Sequence, residues 1–163
     1  MIDKFELRED MPVIAFIGAG SNLGDSKGFI HKALNELERF KGLSLLDISP
    51  FFRSKPFQAV GEDYINAVIK VECFLNPEDL LSVLHSIENQ NGRLRSTLNA
   101  PRTLDLDVIF FGHSQIDSPR LKIPHPRWRE RAFVLLPLQC IAPERVSDEM
   151  LKLVWGQEIR QIK

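Results

Sequence analysis

The apolar positions of this chain repeat with two different periods, and each period predicts one kind of element. Residues 27–41 show the i, i+3, i+4, i+7 spacing of an amphipathic helix. The positions concerned are Ile30, Ala33, Leu34 and Leu37. Residues 76–92 predict a second helix, because Asn76 can cap it, Pro77 suits its first turn and Gly92 can end it. Runs rich in β-branched and aromatic residues predict strands at residues 11–18, 43–52, 64–74 and 103–111.

The order of these elements is β-α-β-β-α-β, which predicts an α+β fold. We expect a ferredoxin-like βαββαβ core, in which an antiparallel sheet carries both helices on one face. Residues 147–163 predict a C-terminal extension that forms a terminal helix, with Leu151, Val154 and Ile159 partly buried. Residues 125–143 contain prolines, which restrict any helix there to short pieces.

Length and composition restrict the class of protein. The chain has 163 residues, of which 44% are hydrophobic and 26% charged, and this suits one domain over residues 1–163 with residues 1–11 as a short N-terminal tail. No apolar run reaches the roughly 18 residues of a membrane span, and the polar N-terminus is unlike a signal peptide. Cys73 and Cys140 form no CxxC pair, which favours a reduced compartment. We therefore expect a cytoplasmic monomer with no membrane partner.

The charge of the chain is unevenly distributed. Of its 21 basic and 22 acidic residues, eight basic and four acidic ones lie between Arg93 and Arg131, so this segment carries +4 and the remainder −5. Cationic residues gathered around two aspartates favour a polyanionic ligand such as a phosphate. On charge alone, a solvated basic face is the simpler interpretation.

Two carboxylates interrupt the last apolar strand. Asp105 and Asp107 lie two positions apart in the run RTLDLDVIFFG, so in a strand they share one face with Cα atoms roughly 7 Å apart. The residues then expected to face the core are Leu104, Leu106, Val108 and Phe110. Two oxygen ligands at this spacing suit Mg²⁺ that is shared with the oxygens of a phosphate. On the dyad alone, pairing of each aspartate with an arginine such as Arg102 is an equally good explanation.

The common glycine-rich nucleotide motifs are absent from the sequence. The stretch GAGSNL begins like the dinucleotide fingerprint GxGxxG, but Leu23 replaces the third glycine and the elements do not alternate as βαβ units. The P-loop pattern GxxxxGK[ST] does not occur. The basic residues around the dyad instead provide cations of the kind that phosphoryl transfer requires. They are Arg93, Arg95, Arg102, Arg120, Lys122, His125 and Arg131.

Several stretches together resemble the 6-hydroxymethyl-7,8-dihydropterin pyrophosphokinases of the folate pathway. The stretch APRTLDLDVIFFG resembles the family's most specific motif. GSNLGD, YINAV, IENQNGRLR and LKIPHPRWRERAFVLLPLQCIAPE match the family in the same order, so the resemblance covers residues 12–153. It implies an enzyme that transfers the β,γ-pyrophosphoryl group of ATP to the hydroxymethyl oxygen of the pterin and releases AMP, without a covalent intermediate.

The resemblance also implies which residues act on ATP. Asp105 and Asp107 would hold two Mg²⁺ ions with ATP, and Arg95 and Arg102 would be catalytic beside them. The residues expected to contact ATP are Glu88, Arg95, Arg102, Arg120, Lys122, His125 and Arg131.

A second group of residues is implied for the pterin. This group is Ser54, Phe57, Tyr64, Asn66 and Phe133. Tyr64 and Phe133 would sandwich the ring while Asn66 bonds its edge. Alternation along the third strand independently places Tyr64 and Asn66 on one face, opposite the core residues Ile65, Ala67, Ile69 and Val71, so an aromatic platform lies beside an amide that can donate and accept. Taken singly, Tyr64 is more typical of a half-buried surface aromatic, and Phe133 of a core residue.

The chain departs from the family pattern near the expected nucleotide. Leu98 stands nearest the place of a common tryptophan, and His85 replaces a frequent glutamine. Lys122 and Pro126 replace a hydroxyl and an aromatic residue. These departures leave the metal and pterin residues intact and fall where the adenine and a mobile loop would lie.

Two other functions are compatible with the sequence. A paralogue with altered pterin specificity or weak activity would share all of these motifs. A ferredoxin-like RNA-binding module would share the fold, but the chain lacks the K/R-G-F/Y-G/A-F-V-x-F/Y element and carries aspartates on its last core strand. We therefore expect small-molecule substrates, ATP and hydroxymethyldihydropterin, and no nucleic acid.

Overall fold

The computed structural model of the protein describes residues 12–56, 61–92 and 103–163. The strands are β1 Val13–Ser21, β2 Leu43–Ile48, β3 Phe51–Ser54, β4 Tyr64–Cys73, β5 Asp105–Phe111, β6 Ile116–Asp117, β7 Lys122–Ile123 and β8 Ile159–Ile162. The helices are α1 Ser26–Arg39, α2 Pro77–Gln90, α3 Ala132–Ile141 and α4 Asp148–Leu153, with short 3₁₀ helices at Trp128–Glu130 and Pro143–Arg145. Within the described ranges, no helix is both long enough and apolar enough to cross a bilayer.

An antiparallel sheet forms the centre of the fold. Its strands follow the order β5-β1-β4-β3-β8, and β2 pairs with β4 beside β3. Because β1 lies between β4 and β5, its residues 15–20 have a partner on both sides. Gly20, for example, lies opposite Asn66 on β4 and opposite Asp105 on β5. The predicted antiparallel α+β fold is confirmed.

Different helices cover the two faces of the sheet. On the first face, α1 and α2 bury residues such as Ile30 and Leu84 against Ile17 of β1 and Ile69 of β4, which confirms that both predicted helices pack on one side. On the second face, α3 packs against other positions of the same strands. This second core includes Leu135 and Leu138 of α3 with Phe16, Val68 and Phe110 of the sheet. The protein is therefore layered as helices, sheet and a shorter helical layer.

The predicted second strand, residues 43–52, is in fact two strands. The strand is interrupted at Ser49 and Pro50, because the proline has no amide hydrogen to donate to a β-ladder. Ser49 keeps the break attached to β4, because its amide donates to the Val68 carbonyl at 2.9 Å and its Oγ accepts from the Val68 amide at 2.9 Å. Strands β2 and β3 thus pair with successive halves of the longer β4.

A β-bulge in β5 changes which phenylalanine faces the helices. Opposite β1, the register shifts by one residue between Val108 and Phe110, so Ile109 is the extra residue of the bulge. Phe110 therefore turns to the second face, where it contacts Trp128 at 4.8 Å between ring centroids, and Phe111 joins the first core. The prediction that Phe110 faces the same core as Leu104, Leu106 and Val108 was wrong, because strict alternation does not survive a bulge.

The C-terminal region also differs from its prediction. Helix α4 ends at Leu153, and the chain then turns and forms β8, which pairs with the open edge of β3. A continuous helix over residues 147–163 is therefore wrong, although Val154 is buried as expected. Helix α3 runs for ten residues through Pro137, longer than the prolines suggested. Burial of its apolar side chains in the second core offsets the amide hydrogen bond that Pro137 cannot make.

The cap of α2 offers a direct test of local stabilisation. The Asn76 side chain accepts a hydrogen bond from the Asp79 amide at 2.9 Å. We expect Asn76→Ala to lower the free energy of unfolding by about 1 kcal/mol, because one amide of the first turn loses its partner. Asn76→Asp should retain most of the stability. Equal losses in urea unfolding of the two variants would contradict the capping role.

Candidate active site

A cavity of about 630 Å³ opens on the second face of the sheet, beside α3. Its lining brings together eight of the residues predicted from the sequence. They are Ser54, Tyr64, Asn66, Asp105, Asp107, His125, Arg131 and Phe133. Residues predicted for the pterin and residues predicted for ATP therefore share one cavity.

Two glycines of β1 form the floor of this cavity. Gly20 lies in a cross-strand row between Asp105 and Asn66, so the Cα atoms of Asp105 and Asn66 are about 10 Å apart, twice the spacing of neighbouring strands. A Cβ atom at Gly20 would come within 3.2 Å of the Asn66 Oδ1, and one at Gly18 within 3.3 Å of the Ile109 Cδ1. The missing side chains leave the floor low enough for a ligand to reach both neighbours.

These glycines are site residues that the sequence reasoning missed. They lie in the stretch GAGSNL, which was assessed there only as a dinucleotide motif and rejected. The available signal was different: two glycines at alternate positions of a strand, Gly18 and Gly20, mark one face of it as a place of close approach. The incomplete dinucleotide motif therefore gave these glycines no explanation.

The carboxylates Asp105 and Asp107 occupy one face of β5, as alternation predicts, and both line the cavity. Leu106 between them points into the first core, and its amide donates to the Glu88 Oε2 at 2.8 Å. Glu88 is only 1% exposed and does not line the cavity. The structure thus places Glu88 behind the dyad, where it holds the edge strand that carries both carboxylates.

The dyad has the donor chemistry of a site for a hard cation. Among the described residues, no three or more His, Cys, Asp or Glu side chains are grouped so as to enclose a metal ion by themselves. Mg²⁺ typically binds to one or two carboxylates and completes its shell with water and phosphate oxygens. Two aspartates open to a ligand cavity therefore fit Mg²⁺ that arrives with a phosphorylated molecule.

Arg131 supplies positive charge opposite the aspartates. Burial lowers the pKa of its guanidinium, and the nearby carboxylates of Asp107 and Asp105 oppose that shift. The group remains charged at neutral pH because arginine does not lose its proton in proteins. Its guanidinium carbon also lies 5.3 Å from the ring centroid of Phe133, a cation–π distance.

His125 lines the same wall but is uncharged at neutral pH. Burial lowers its pKa to about 4, the charge of Arg131 adds to the shift, and the Asp105 carboxylate only partly opposes it. Its Nδ1 accepts a hydrogen bond from the Arg127 amide at 3.1 Å. This bond assigns the proton of the neutral ring to Nε2, so His125 offers a neutral N–H donor rather than a cation.

The other end of the cavity carries a fixed amide between aromatic side chains. Asn66 is 4% exposed, and its Nδ2 donates to the Ser54 Oγ at 2.8 Å, which fixes the orientation of the amide. Tyr64 reaches the cavity from the sheet and Phe133 from α3. Rings from two different layers therefore border the space next to Asn66.

Several predicted residues are placed elsewhere. Arg120 bonds helix α2, through Glu78 at 3.2 Å and Ser82 at 2.7 Å, and Lys122 is paired with Asp117. Neither lines the cavity. His85 and Pro126, which differ from the family pattern, do not line it either. Phe57, Arg95, Leu98 and Arg102 lie outside the described residues.

The cavity also includes residues from the C-terminal turn. Gly156, Gln157, Glu158 and Ile159 line it, together with Lys55, Arg127 and Glu130. The helix predicted over residues 147–163 carried no predicted functional role. No local motif points to them, because they reach the cavity only when β8 pairs with β3.

Comparisons with known proteins identify the relatives of this chain. Residues 16–143 match the family model described as 7,8-dihydro-6-hydroxymethylpterin-pyrophosphokinase (HPPK). The chain is similar to the 2-amino-4-hydroxy-6-hydroxymethyldihydropteridine pyrophosphokinase of Synechocystis sp., with 39% identity over 86% of this chain and 72% of the relative. The enzyme of the same name in Pseudomonas aeruginosa is 40% identical over 82% of this chain and 83% of the relative.

The fold is likewise similar to solved structures. Wild-type Plasmodium falciparum HPPK-DHPS, solved with pterin and p-hydroxybenzoate, superimposes with a TM-score of 0.66 at 16% identity, over 88% of this chain and 43% of that chain. This chain therefore spans less than half of that solved protein. At this identity the likeness concerns the fold.

The neutral state of His125 leads to a testable pH dependence. Well above about pH 6.5 the ring is uncharged in both folded and unfolded chains. As the pH falls from 6.5 to about 4, the unfolded chain binds a proton that the folded chain does not, so the free energy of unfolding decreases. His125→Gln should remove this part of the decrease in urea unfolding measured across that range. An NMR titration of the ligand-free protein in which His125 has its midpoint near 6.5 would contradict the assignment.

Proposed function

Because this chain belongs to the 7,8-dihydro-6-hydroxymethylpterin-pyrophosphokinase family, we propose that it transfers pyrophosphate from ATP to 6-hydroxymethyl-7,8-dihydropterin. The products would be the pterin diphosphate and AMP, and the reaction would serve folate biosynthesis. A relative from Schizosaccharomyces pombe, 37% identical over 82% of this chain and 18% of its own length, is named folic acid synthesis protein fol1. The proposal requires Mg²⁺, which we place at Asp105 and Asp107.

One observation carries the proposal: the row Asp105–Gly20–Asn66 across the floor of a single cavity. The carboxylates lie at one end of the row and the fixed amide at the other, about 10 Å apart between Cα atoms. Nothing larger than a hydrogen atom projects from Gly20 between them. A pterin bonded to Asn66 and a phosphate chain bound near Asp105 would therefore meet over the glycine.

The pterin end recognises a flat, hydrogen-bonding ring. We propose that Tyr64 and Phe133 stack on its two faces, and that Asn66, oriented by Ser54, bonds its edge. A carboxamide can donate and accept at once, which matches the adjacent donors and acceptors of a pterin. Phe57 belongs to this group by family resemblance.

The phosphate end requires added positive charge. Among the described residues, the cavity lining contains three cationic side chains, Lys55, Arg127 and Arg131, against the four carboxylates of Asp105, Asp107, Glu130 and Glu158. From this part of the chain, a polyphosphate would meet no excess of positive charge. Mg²⁺ at the dyad would supply it, neutralising the phosphates and the charge that develops in transfer.

The remaining ATP contacts are proposed for the basic side chains. Arg131 and the Nε2–H of His125 would bind phosphate oxygens from the cavity wall. His125 would not act as a base, because its Nε2 already carries the proton and its pKa is about 4. Catalysis would rest on alignment and charge. By family resemblance we include Arg95, Arg102, Arg120 and Lys122 in this group, with Arg95 and Arg102 catalytic. Glu88 would support the nucleotide site from behind the dyad, through the Leu106 amide of β5.

We propose that the chain works as a single domain over residues 1–163, with residues 1–11 as a tail, and as a monomer in the cytoplasm. Cys73 is buried and Cys140 exposed, and both are free thiols. Free thiols are usual in a reducing compartment.

The function is tested by incubating the protein with MgATP and 6-hydroxymethyl-7,8-dihydropterin and separating the nucleotides by chromatography. We expect AMP and the pterin diphosphate in equal amounts, and no AMP when either the pterin or the metal is left out. Release of ADP and phosphate, or AMP that does not depend on the pterin, would contradict the proposal.

The role of the dyad is tested with Asp107→Asn. We expect AMP release to fall by orders of magnitude, because stabilisation of charge by a metal is worth several kcal/mol of barrier. The melting temperature of the ligand-free protein should change little, since relief of repulsion from Asp105 offsets lost attraction to Arg131. Asp47→Asn, a matched change at an exposed aspartate of β2, should leave turnover intact. Near-normal turnover of Asp107→Asn would show that the dyad holds no essential metal.

The stacking residues are tested with Tyr64→Ala and Phe133→Ala. Each should weaken pterin binding by roughly 1–3 kcal/mol and leave MgATP binding nearly unchanged, because only the ring loses a face. Calorimetry with each ligand separately measures both effects. Phe29→Ala, which removes a half-buried ring packed on the first core, is the control and should not affect either ligand. Equal loss of both ligands in the Tyr64 or Phe133 variants would mean that these rings are structural.

A further inference from the structure

Gln157 makes a pair of hydrogen bonds that encloses one residue of the cavity wall. Its Oε1 accepts from the Ala132 amide at 2.9 Å, and its Nε2 donates to the Glu130 carbonyl at 2.8 Å. These two groups belong to the peptide units immediately before and after Arg131. A single carboxamide therefore bridges both sides of the Arg131 Cα atom.

This bridge restricts the backbone of Arg131. The two peptide units that meet at its Cα define its φ and ψ, here −118° and 111°, and Gln157 holds one atom of each. The Arg131 carbonyl is also engaged, accepting from the Val134 and Leu135 amides at 3.0 Å each. With φ and ψ held, the direction in which the side chain leaves the backbone is held as well. The Gln157 bridge therefore fixes the direction from which the Arg131 side chain extends toward the aspartates.

Gln157 is itself held between two parts of the fold. The backbone amide of Gln157 donates to the Val154 carbonyl at 3.0 Å, and the Val154 side chain is buried in the second core. Two residues later β8 begins, and Ile159 pairs with Ser54 of β3. The turn that carries Gln157 thus connects the edge of the pterin end with the wall of the phosphate end.

We propose that Gln157 is a positioning residue that orients Arg131 toward the phosphates of ATP. This inference rests on the proposed function for the identity of the ligand. It adds a residue beyond position 143, where the match to the family model ends. A change at Gln157 would then act on ATP through Arg131 rather than by contact with either substrate.

The test uses Gln157→Met, which keeps the length of the side chain and removes both hydrogen bonds. We expect MgATP binding by calorimetry to weaken and kcat/KM for ATP to fall, each by about tenfold, as is typical when a supporting contact behind a binding group is lost. Pterin binding measured without ATP should change less than about twofold. Gln161→Met, the same change at an exposed position of β8, is the matched control and should behave as the unmodified chain.

Gln157 could also stabilise only the start of α3, through its bond to the Ala132 amide. A double-mutant cycle with Arg131→Ala distinguishes this structural role from the positioning of Arg131. If Gln157 acts through Arg131, Gln157→Met should add less than about twofold to the ATP effect of Arg131→Ala. Full additivity would overturn the proposal, and so would a lowered melting temperature with normal ATP binding and turnover. Equal weakening of pterin and ATP would also overturn it.

The outcomes separate this inference from the proposed function. If the unmodified chain binds MgATP but releases no AMP, the proposed function fails, and the binding arm of the cycle still decides the role of Gln157. If the chain turns over normally and Gln157→Met is indistinguishable from it, the role of Gln157 fails and the proposed function stands. An unmodified chain that binds no MgATP would overturn both.

Discussion

The alternation of side chains along β1 is the constraint on which the rest of the structure depends. Its odd-numbered residues Ala15, Ile17 and Ala19 all join the first core under α1 and α2. On the other face, Phe16 is large and joins the second core, whereas Gly18 and Gly20 carry no side chain. Along this strand, the second face of the sheet is therefore covered by a side chain at Phe16 and left uncovered at Gly18 and Gly20. That change allows one sheet to support both a second hydrophobic core and a cavity.

Neighbouring strands turn this opening into a site with two ends. Because β1 pairs with β4 and β5, the carboxylates and the Asn66 amide are placed on either side of the glycine floor by backbone hydrogen bonds. The Leu106 amide, bonded to buried Glu88, holds the edge strand from behind. Arg131 and Phe133 come from the beginning of α3, which faces the same opening. Groups placed on paired strands are held more precisely than groups on loops, so these need little rearrangement to bind.

Burial gives the charged groups of the wall different properties. His125 and Arg131 are both partly withdrawn from water, but only the histidine is neutral at physiological pH. The wall therefore combines one permanent cation with one neutral donor. The C-terminal turn contributes through the bonds of Gln157 to the peptide groups around Arg131. A segment remote from every sequence motif is thus in direct contact with the backbone of the site.

The sequence by itself predicted the fold class, both helices of the first face and eight of the residues that line the cavity. Local rules were sufficient for α1, for the cap of α2 at Asn76 and for the shared face of Asp105 and Asp107, because these depend on residues a few positions apart. The tertiary structure decided what depends on pairing between distant segments. The bulge at Ile109 turned Phe110 to the second face, and β8 formed because β3 had an open edge. Gly20 became a floor only through its partners on both sides, and Gln157 contacts the peptide groups around Arg131 only because the chain folds back after α4. Such contacts follow from register across the sheet, which no local pattern contains.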